Sequence, residues 1–284
     1  MNPAARQTVT NATGAAVTHV APLTGGCIGD VWRVDLADGR RMVAKTASTD
    51  GALDIEGYML DYLARTRTIP VPEVIHAEPG LLIMEYVETS GRLDTAAQEH
   101  AADLLAALHD ITADAYGHER DTLIGSLRQP NPWTESWLEF FGDQRLIHMG
   151  RLALDNGSLP RDVYARLEKF RETKLETYID PASSPSLIHG DMWGGNVLVR
   201  GGHIAAFIDP AIYHGDAEIE LAFATLFNTY GDPFFRRYNE HRPIRTGFFE
   251  ARRDIYNLYP LLTHTRYFGR QYAVRADGIL RRSG

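Results

Sequence analysis

The stretch His189-Gly190-Asp191-Met192-Trp193-Gly194-Gly195-Asn196 sets a carboxylate and a side-chain amide five residues apart, around a Gly-Gly pair that permits a tight turn. Thirteen residues after Asn196, Asp209 closes the short apolar run Phe207-Ile208. In phosphoryl-transfer loops an Asp orients the attacking hydroxyl and an Asn five residues on binds a metal ion. A further Asp holds the metal ions that bridge the phosphates. Asp191 fits the base, and Asn196 and Asp209 fit the ligands of Mg2+. Each residue alone reads as a turn or cap; the joint spacing is what argues for chemistry.

The remaining parts of such a site lie upstream. Lys45, in Val43-Ala44-Lys45, is the candidate cation for the α- and β-phosphates of ATP, and Glu56 is the candidate partner that fixes it. The loop Thr24-Gly25-Gly26-Cys27-Ile28-Gly29-Asp30-Val31 fits a phosphate-covering loop, apart from Thr24 at the first glycine position. Glycines there let backbone amides approach phosphate oxygens. Gly25, Gly26, Cys27 and Ile28 are therefore candidate nucleotide contacts. Met84-Glu85-Tyr86-Val87 would hold adenine through the main-chain groups of Glu85 and Val87, or be a plain edge strand. Cys27 is a candidate redox-sensitive thiol or simply a small tolerated side chain. The order of these parts carries more weight than any one of them.

The elements that must position these residues fall into two groups. Val17–Pro22, Val31–Leu36, Arg41–Thr46, Val74–Ala77 and Leu81–Tyr86 read as five strands, with turn signals at Asp38-Gly39 and Pro79-Gly80. Asp54–Arg65 reads as a helix, since Ile55, Tyr58, Met59 and Tyr62 share one face. From Thr89 on the pattern is helical: Thr95–Ile111, Trp133–Phe141, Pro160–Tyr178, Glu218–Thr229 and Phe248–Tyr272, interrupted by short β runs at Val197–Arg200 and Ile204–Ile208. The expected fold is α+β and bilobal. A small five-stranded antiparallel lobe with one helix (residues 1–87) precedes a larger, mainly helical lobe (residues 88–284).

Composition narrows the partners. With 29 basic against 37 acidic side chains the net charge is −8, which disfavours nucleic acid. There is no apolar run of membrane-spanning length and no signal-peptide pattern at the N-terminus. The single cysteine excludes an internal disulfide, so a cytoplasmic protein is expected, a monomer or a Cys27-linked dimer. His203, His214 and His264 lack zinc-ligand spacing and read as surface or core residues.

These residues together resemble the protein-kinase-like phosphotransferases of small molecules, which include aminoglycoside and choline kinases. Within that group the chain is most similar to the fructosamine-3-kinase (ketosamine-3-kinase) family. The likeness rests on Gly25-Gly26-Cys27-Ile28, on Gln129-Pro130-Asn131-Pro132-Trp133-Thr134-Glu135-Ser136-Trp137, and on Trp193 two residues after Asp191. It continues through Asp209-Pro210-Ala211, Tyr213-His214-Gly215, Glu218-Ile219-Glu220-Leu221-Ala222, and the closing Leu262, His264, Phe268-Gly269 and Tyr272.

The resemblance implies ATP-dependent transfer to the 3-hydroxyl of a sugar on an amine, a deglycation activity. It also implies Asp191 as base, Asn196 and Asp209 as Mg2+ ligands, and Lys45 paired with Glu56. Trp193 is the first candidate for contact with the sugar, with Trp133, Thr134, Glu135 and Trp137 weaker ones, since two tryptophans four apart on a helix more often pack in a core. Pro210-Ala211 and the short stretch from Asp209 to Glu218 leave no room for a protein-kinase activation segment. Another small-molecule kinase and a nucleotide-binding pseudokinase module are the competing readings.

Overall fold

The computed structural model describes residues 1–23, 30–48, 51–180 and 183–284. Gly25, Gly26, Cys27 and Ile28 lie outside the described residues.

Strands β1 (Val17–Pro22), β2 (Asp30–Leu36), β3 (Arg41–Thr46), β4 (Val74–Glu78) and β5 (Leu81–Glu85) form one antiparallel sheet in the order β1-β2-β3-β5-β4. β3 lies inside this sheet, with Lys45 opposite Val31 of β2 and Leu82 of β5. The expected lobe had one helix; the structure adds a second, α1 (Pro3–Thr13). Asn2 caps α1 by accepting from the Ala5 N–H at 2.8 Å, Pro3 opens it, and Gly14 ends it in the left-handed region. Ala5 and Val9, one turn apart, pack on Val34, Met42, Ala44 and Ile83, which closes one face of the sheet.

Helix α2 (Leu53–Thr66) has two apolar edges. Leu53 and Leu60 pack on Leu82 and Met84 of the sheet, whereas Ile55, Met59 and Leu63 enter the core of the helical lobe. The helix is thus shared between the lobes, which is why Glu56, on the same helix, is held in place.

The helical lobe starts with α3 (Thr95–His109), capped by Asp94. A hairpin of β6 (Thr122–Ile124) and β7 (Leu127–Gln129) follows. The helix expected from Trp133 begins four residues later, as α4 (Trp137–Glu139) with Ser136 as its cap, so Trp133 lies outside it. It continues through a wide-turn helix, Phe140–Ile147, into α5 (His148–Asp155). Next come α6 (Arg161–Thr173), β8 (Pro185–Ile188), β9 (Val197–Arg200), β10 (His203–Phe207) and β11 (Tyr213–Asp216). β9 pairs with β10 and β8 with β11, both antiparallel.

Helices α7 (Ala217–Thr225), α8 (Asp232–His241), α9 (Arg253–Tyr256), α10 (Leu258–Phe268) and α11 (Arg270–Ser283) complete the lobe. The closing region is not one helix. It breaks at Gly269, whose φ of +90° a side chain would resist, and turns back so that α11 packs along α10. Among the described residues no helix is long and apolar enough to cross a membrane.

Candidate active site

Strands β8 to β11 present the residues that sequence spacing singled out. β8 delivers His189 and Gly190, the hairpin β9–β10 springs from Asn196, and Asp209 follows β10 directly. The turn between is tight: Trp193 N–H donates to the Asp191 C=O at 3.1 Å and Asn196 N–H to the Trp193 C=O at 3.0 Å. Asn196 Nδ2 then reaches back to both the Asp191 C=O and its Oδ2, each at 2.9 Å. The five-residue spacing therefore closes a ring that fixes the Asp191 carboxylate. The Ile208 N–H donates to the Asn196 C=O at 3.0 Å, which brings Asp209 beside this ring.

Asp209 itself has φ +54°, a left-handed conformation that costs a residue with a side chain about 1–3 kcal/mol. Its carboxylate accepts from Lys45 Nζ, and Lys45 also donates to Glu56 Oε1 at 2.6 Å. Burial pushes the Lys45 ammonium towards losing its proton, but the Glu56 and Asp209 charges outweigh burial and hold it protonated. Burial, opposed by Lys45 and assisted by the Asp209 charge, raises the Glu56 carboxyl. Asp191 is raised to about 8, first by burial and then by the neighbouring Asp209 charge, with the Asn196 hydrogen bond acting the other way.

Beneath the loop lies a carboxylate that spacing did not single out. Glu220 of α7, fully buried, accepts from the backbone N–H of His189 at 3.1 Å and of Gly190 at 2.6 Å. It also accepts from His109 Nε2 at 2.9 Å, and His109 Nδ1 meets the Tyr238 hydroxyl at 2.7 Å. Since Glu220 only accepts, His109 carries its proton on Nε2 and Tyr238 donates to Nδ1. Burial would raise the Glu220 carboxyl, but the hydrogen bonds from His109 and from the Gly190 N–H hold it below the ordinary value. Gly190 is required here: its φ is +86°, and a Cβ would lie 2.1 Å from the Ala211 carbonyl oxygen.

A second brace acts on α2. Tyr58, two residues after Glu56, places its hydroxyl 2.8 Å from His118 Nε2 and donates to Glu119 Oε1 at 2.5 Å. The Arg120 guanidinium lies 4.5 Å from the Tyr58 ring centre, and the His118 ring packs on Tyr62.

Two cavities meet at Asp191. The smaller lies between the lobes and is lined by Lys45, Glu56, Asn196 and Asp209 as well as Asp191 and Trp193. The larger, about 770 Å³, opens on the other side of Asp191 and Trp193. Its aromatic walls come from Phe227 after α7, His264, Tyr267 and Phe268 of α10, and Tyr272 of α11. Phe227 and His264 are 4.9 Å apart between ring centres, and His264 and Tyr272 are 5.1 Å apart. The Trp193 ring lies against Gly195, where a Cβ would come within 2.3 Å of it.

His264, expected at the surface or in the core, is thus a wall residue. Phe227 and Gln271 had no local signal, since they meet Asp191 only through the packing of separate helices. Trp133, Thr134, Glu135 and Trp137 line neither cavity. Trp133 is exposed beside His214, and Trp137 is buried, donating to the Tyr256 hydroxyl at 3.1 Å. The surrounding segment is a scaffold: Gln129 Nε2 donates to the Ala211 C=O at 3.2 Å, bracing the turn after Asp209.

Met84, Glu85, Tyr86 and Val87 lie at the end of β5. The Glu85 N–H is taken by the Glu73 C=O at 2.8 Å and the Tyr86 N–H by the Arg41 C=O at 3.3 Å. The Val87 N–H has no hydrogen-bond partner among the described residues. It is the one amide of that trio left for a ligand.

A family model described as "Fructosamine kinase" matches residues 1–283. This chain belongs to the fructosamine kinase family. Among relatives of the family, a protein named as a ketoamine kinase from Synechocystis is 32% identical over 270 residues, covering 91% of this chain and 88% of the relative. The chloroplastic protein-ribulosamine 3-kinase of Arabidopsis thaliana is 29% identical over 281 residues, covering 96% and 84%. A crystal structure from Thermobifida fusca, described as a fructosamine-3-kinase, superposes with a TM-score of 0.86 at 33% identity, covering 98% of this chain and 97% of that one. The fold extends further: an aminoglycoside phosphotransferase in its streptomycin–ATP complex matches with a TM-score of 0.68 at 15% identity.

Proposed function

We propose that this fructosamine kinase family member is an ATP-dependent kinase that phosphorylates the 3-hydroxyl of the sugar in ketoamines. The observation that carries this reading is Asp191 standing between two unlike cavities. One has the charged groups suited to a polyphosphate, and the other has the aromatic walls suited to a sugar on an amine.

In this mechanism the acceptor hydroxyl approaches from the aromatic side, with the sugar ring against Trp193. Asp191 Oδ2 is held by Asn196, so its Oδ1 is the atom free to orient the hydroxyl and receive its proton. Lys45, kept charged and aimed by Glu56, binds the α- and β-phosphates after exchanging its contact with Asp209 for them. Positioning and fixed charge supply most of the acceleration in such transfers.

Asn196 and Asp209 are the residues that would hold Mg2+. Both offer oxygen, the donor this ion takes, and no donor among the described residues reaches Asn196 Oδ1, because Nδ2 makes both bonds to Asp191. The ion would neutralise phosphate charge when bound. Adenine would dock at Glu85 and Val87, and the boundary between a nucleotide-binding part (1–87) and an acceptor part (88–284) falls there.

The test is purified protein with ATP and Mg2+, given fructoselysine, ribuloselysine and an aminoglycoside in parallel, with phosphate position read by phosphorus NMR. Phosphorylation of the ketoamines at the 3-position is expected, and Asp191→Ala should abolish it while retaining ATP. Turnover of the aminoglycoside alone would overturn the assignment.

A further inference from the structure

Tyr272 is the last residue of α11 to line the large aromatic cavity. A further cavity of about 430 Å³ lies along the same three elements. The end of α7 contributes Thr225 to it and Phe227 to the aromatic cavity. Helix α10 contributes Leu261 to one and His264 to the other; α11 contributes Arg275 and Arg282 to one and Gln271 and Tyr272 to the other. The Arg275 charge is felt at His264, which burial and then Arg275 hold below its ordinary value, the Pro260 hydrogen bond opposing. The two cavities are thus lined by neighbouring residues of the same three elements, the second lying farther along α11 from the cavity that contains Asp191.

Their chemistries differ. No Lys or Arg is among the described residues lining the aromatic stretch. The second stretch carries Arg253, Arg275 and Arg282 against one carboxylate, Asp254. That carboxylate is shared by Arg253 at 3.3 Å and Arg282 at 3.4 Å, and Arg275 has no acidic partner among the described residues. This local excess of positive charge occurs on a chain whose net charge is −8. Asn257, 7% exposed, lines the same stretch with its Oδ1 unpartnered, while its Nδ2 holds Thr225 Oγ1 at 3.3 Å. Gly278 lines the same stretch, and a Cβ there would make only an ordinary contact with Arg282 Nη1, at 3.5 Å. A helix-interior glycine costs about 1 kcal/mol against alanine.

Tyr272, Arg275, Ile279 and Arg282 follow at helical spacing on one face of α11. By helix rise Arg275 lies about 4.5 Å beyond Tyr272 along the axis and Arg282 about 15 Å beyond it. Guanidinium groups match carboxylates in a two-pronged geometry. The amine half of a ketoamine derived from an amino acid or a polypeptide bears carboxylates, and the aromatic stretch offers them no cation.

Resting on the proposed ketoamine reading, we infer that Arg275 and Arg282 form a carboxylate subsite for the amine-bearing half of the acceptor. Arg275 serves the α-carboxylate of a free amino-acid adduct, and Arg282, farther out, serves only acidic side chains of a glycated polypeptide.

The test compares wild type, Arg275→Gln and Arg282→Gln on five acceptors: a fructosamine of butylamine, fructoselysine, its α-carboxamide, and two glycated peptides, one flanked by Glu and one by Lys. Arg275→Gln should raise KM for fructoselysine about 10- to 100-fold, the loss of one charge-assisted contact, with kcat unchanged. KM for the butylamine adduct and the carboxamide should stay within twofold. Arg282→Gln should raise KM for the Glu-flanked peptide alone. Equal KM changes on charged and neutral acceptors, or none on either, would overturn the inference while leaving the kinase reading intact. Wild type that phosphorylates none of the five acceptors would refute the kinase reading, and the subsite falls with it.

Discussion

Replacing Glu220 by Gln isolates what the buried carboxylate does for the Asp191 loop. The carboxylate accepts three hydrogen bonds, from His189 N–H, Gly190 N–H and His109 Nε2. A glutamine has one acceptor oxygen at that end. If it faces Gly190, its NH2 meets the His189 N–H; if it faces His189, the Gly190 N–H is stranded. His109 can adapt by shifting its proton to Nδ1 and donating to Tyr238, but a backbone amide cannot. One buried N–H therefore loses its acceptor, at about 1–3 kcal/mol, and the surviving bonds lose their charge assistance, worth about another 1–2 kcal/mol.

The expected loss is about 3 kcal/mol in urea unfolding at pH 7. kcat should fall at least tenfold, because the amides that carry Asp191 are no longer anchored, while KM for ATP should change less than twofold. The pH dependence has a definite sign. The folded carboxyl lies below its ordinary value near 4.5, so its stabilisation is present above that value and fades as the carboxyl is protonated on acidification. The gap between wild type and E220Q should then narrow as pH falls below about 4.5. Stability within 0.5 kcal/mol of wild type, with kcat within twofold, would refute the reasoning, since surface substitutions shift stability by no more than about that amount.

Gly190→Ala should destabilise by at least ~2 kcal/mol, since its Cβ would strike the Ala211 carbonyl oxygen in a left-handed backbone; an unchanged urea midpoint would contradict this. Trp193→Ala should raise KM for the sugar acceptor with little effect on KM for ATP, as steady-state kinetics with each substrate varied would reveal. His118 is held neutral, with its value pushed down to about 4, by burial and then the His214 charge. Its contribution is present above the ordinary value near 6.5 and is lost as pH falls from there towards 4. His118→Gln should flatten the acid side of the stability profile in that window, as thermal unfolding at stepped pH would show.

The parts of the site that share one short stretch were legible in the sequence. Asp191 to Asn196 closes a ring within five residues, and Asp209 hangs from it through one backbone bond, so spacing alone carried that geometry. Lys45 and Glu56 were legible only with the Asp191 motif downstream, because a strand lysine and a helix glutamate by themselves read as a solvated face. The aromatic wall was not legible. Phe227, His264 and Tyr272 come from three separate elements and converge only when α11 folds back at Gly269.

In the family segment around Trp133, the reading that two tryptophans four apart pack in a core holds for Trp137, which is buried, and not for Trp133, which is exposed; Gln129 braces the Ala211 carbonyl. Helix α1 was written in Asn2-Pro3 and Gly14, a cap, an opener and a stop, but its small residues gave only a faint apolar stripe.

Helix α2 sets how this protein can be governed. Swinging it outward to part Glu56 from Lys45 would expose Ile55, Met59 and Leu63, and would break the Tyr58 bonds to His118 and Glu119. At about 1.5–3 kcal/mol per buried side chain, that displaced form lies roughly 5–9 kcal/mol above the assembled one. Fewer than about one molecule in a thousand would occupy it. A form with α2 swung outward is therefore beyond the reach of a modest modification or an ordinary effector.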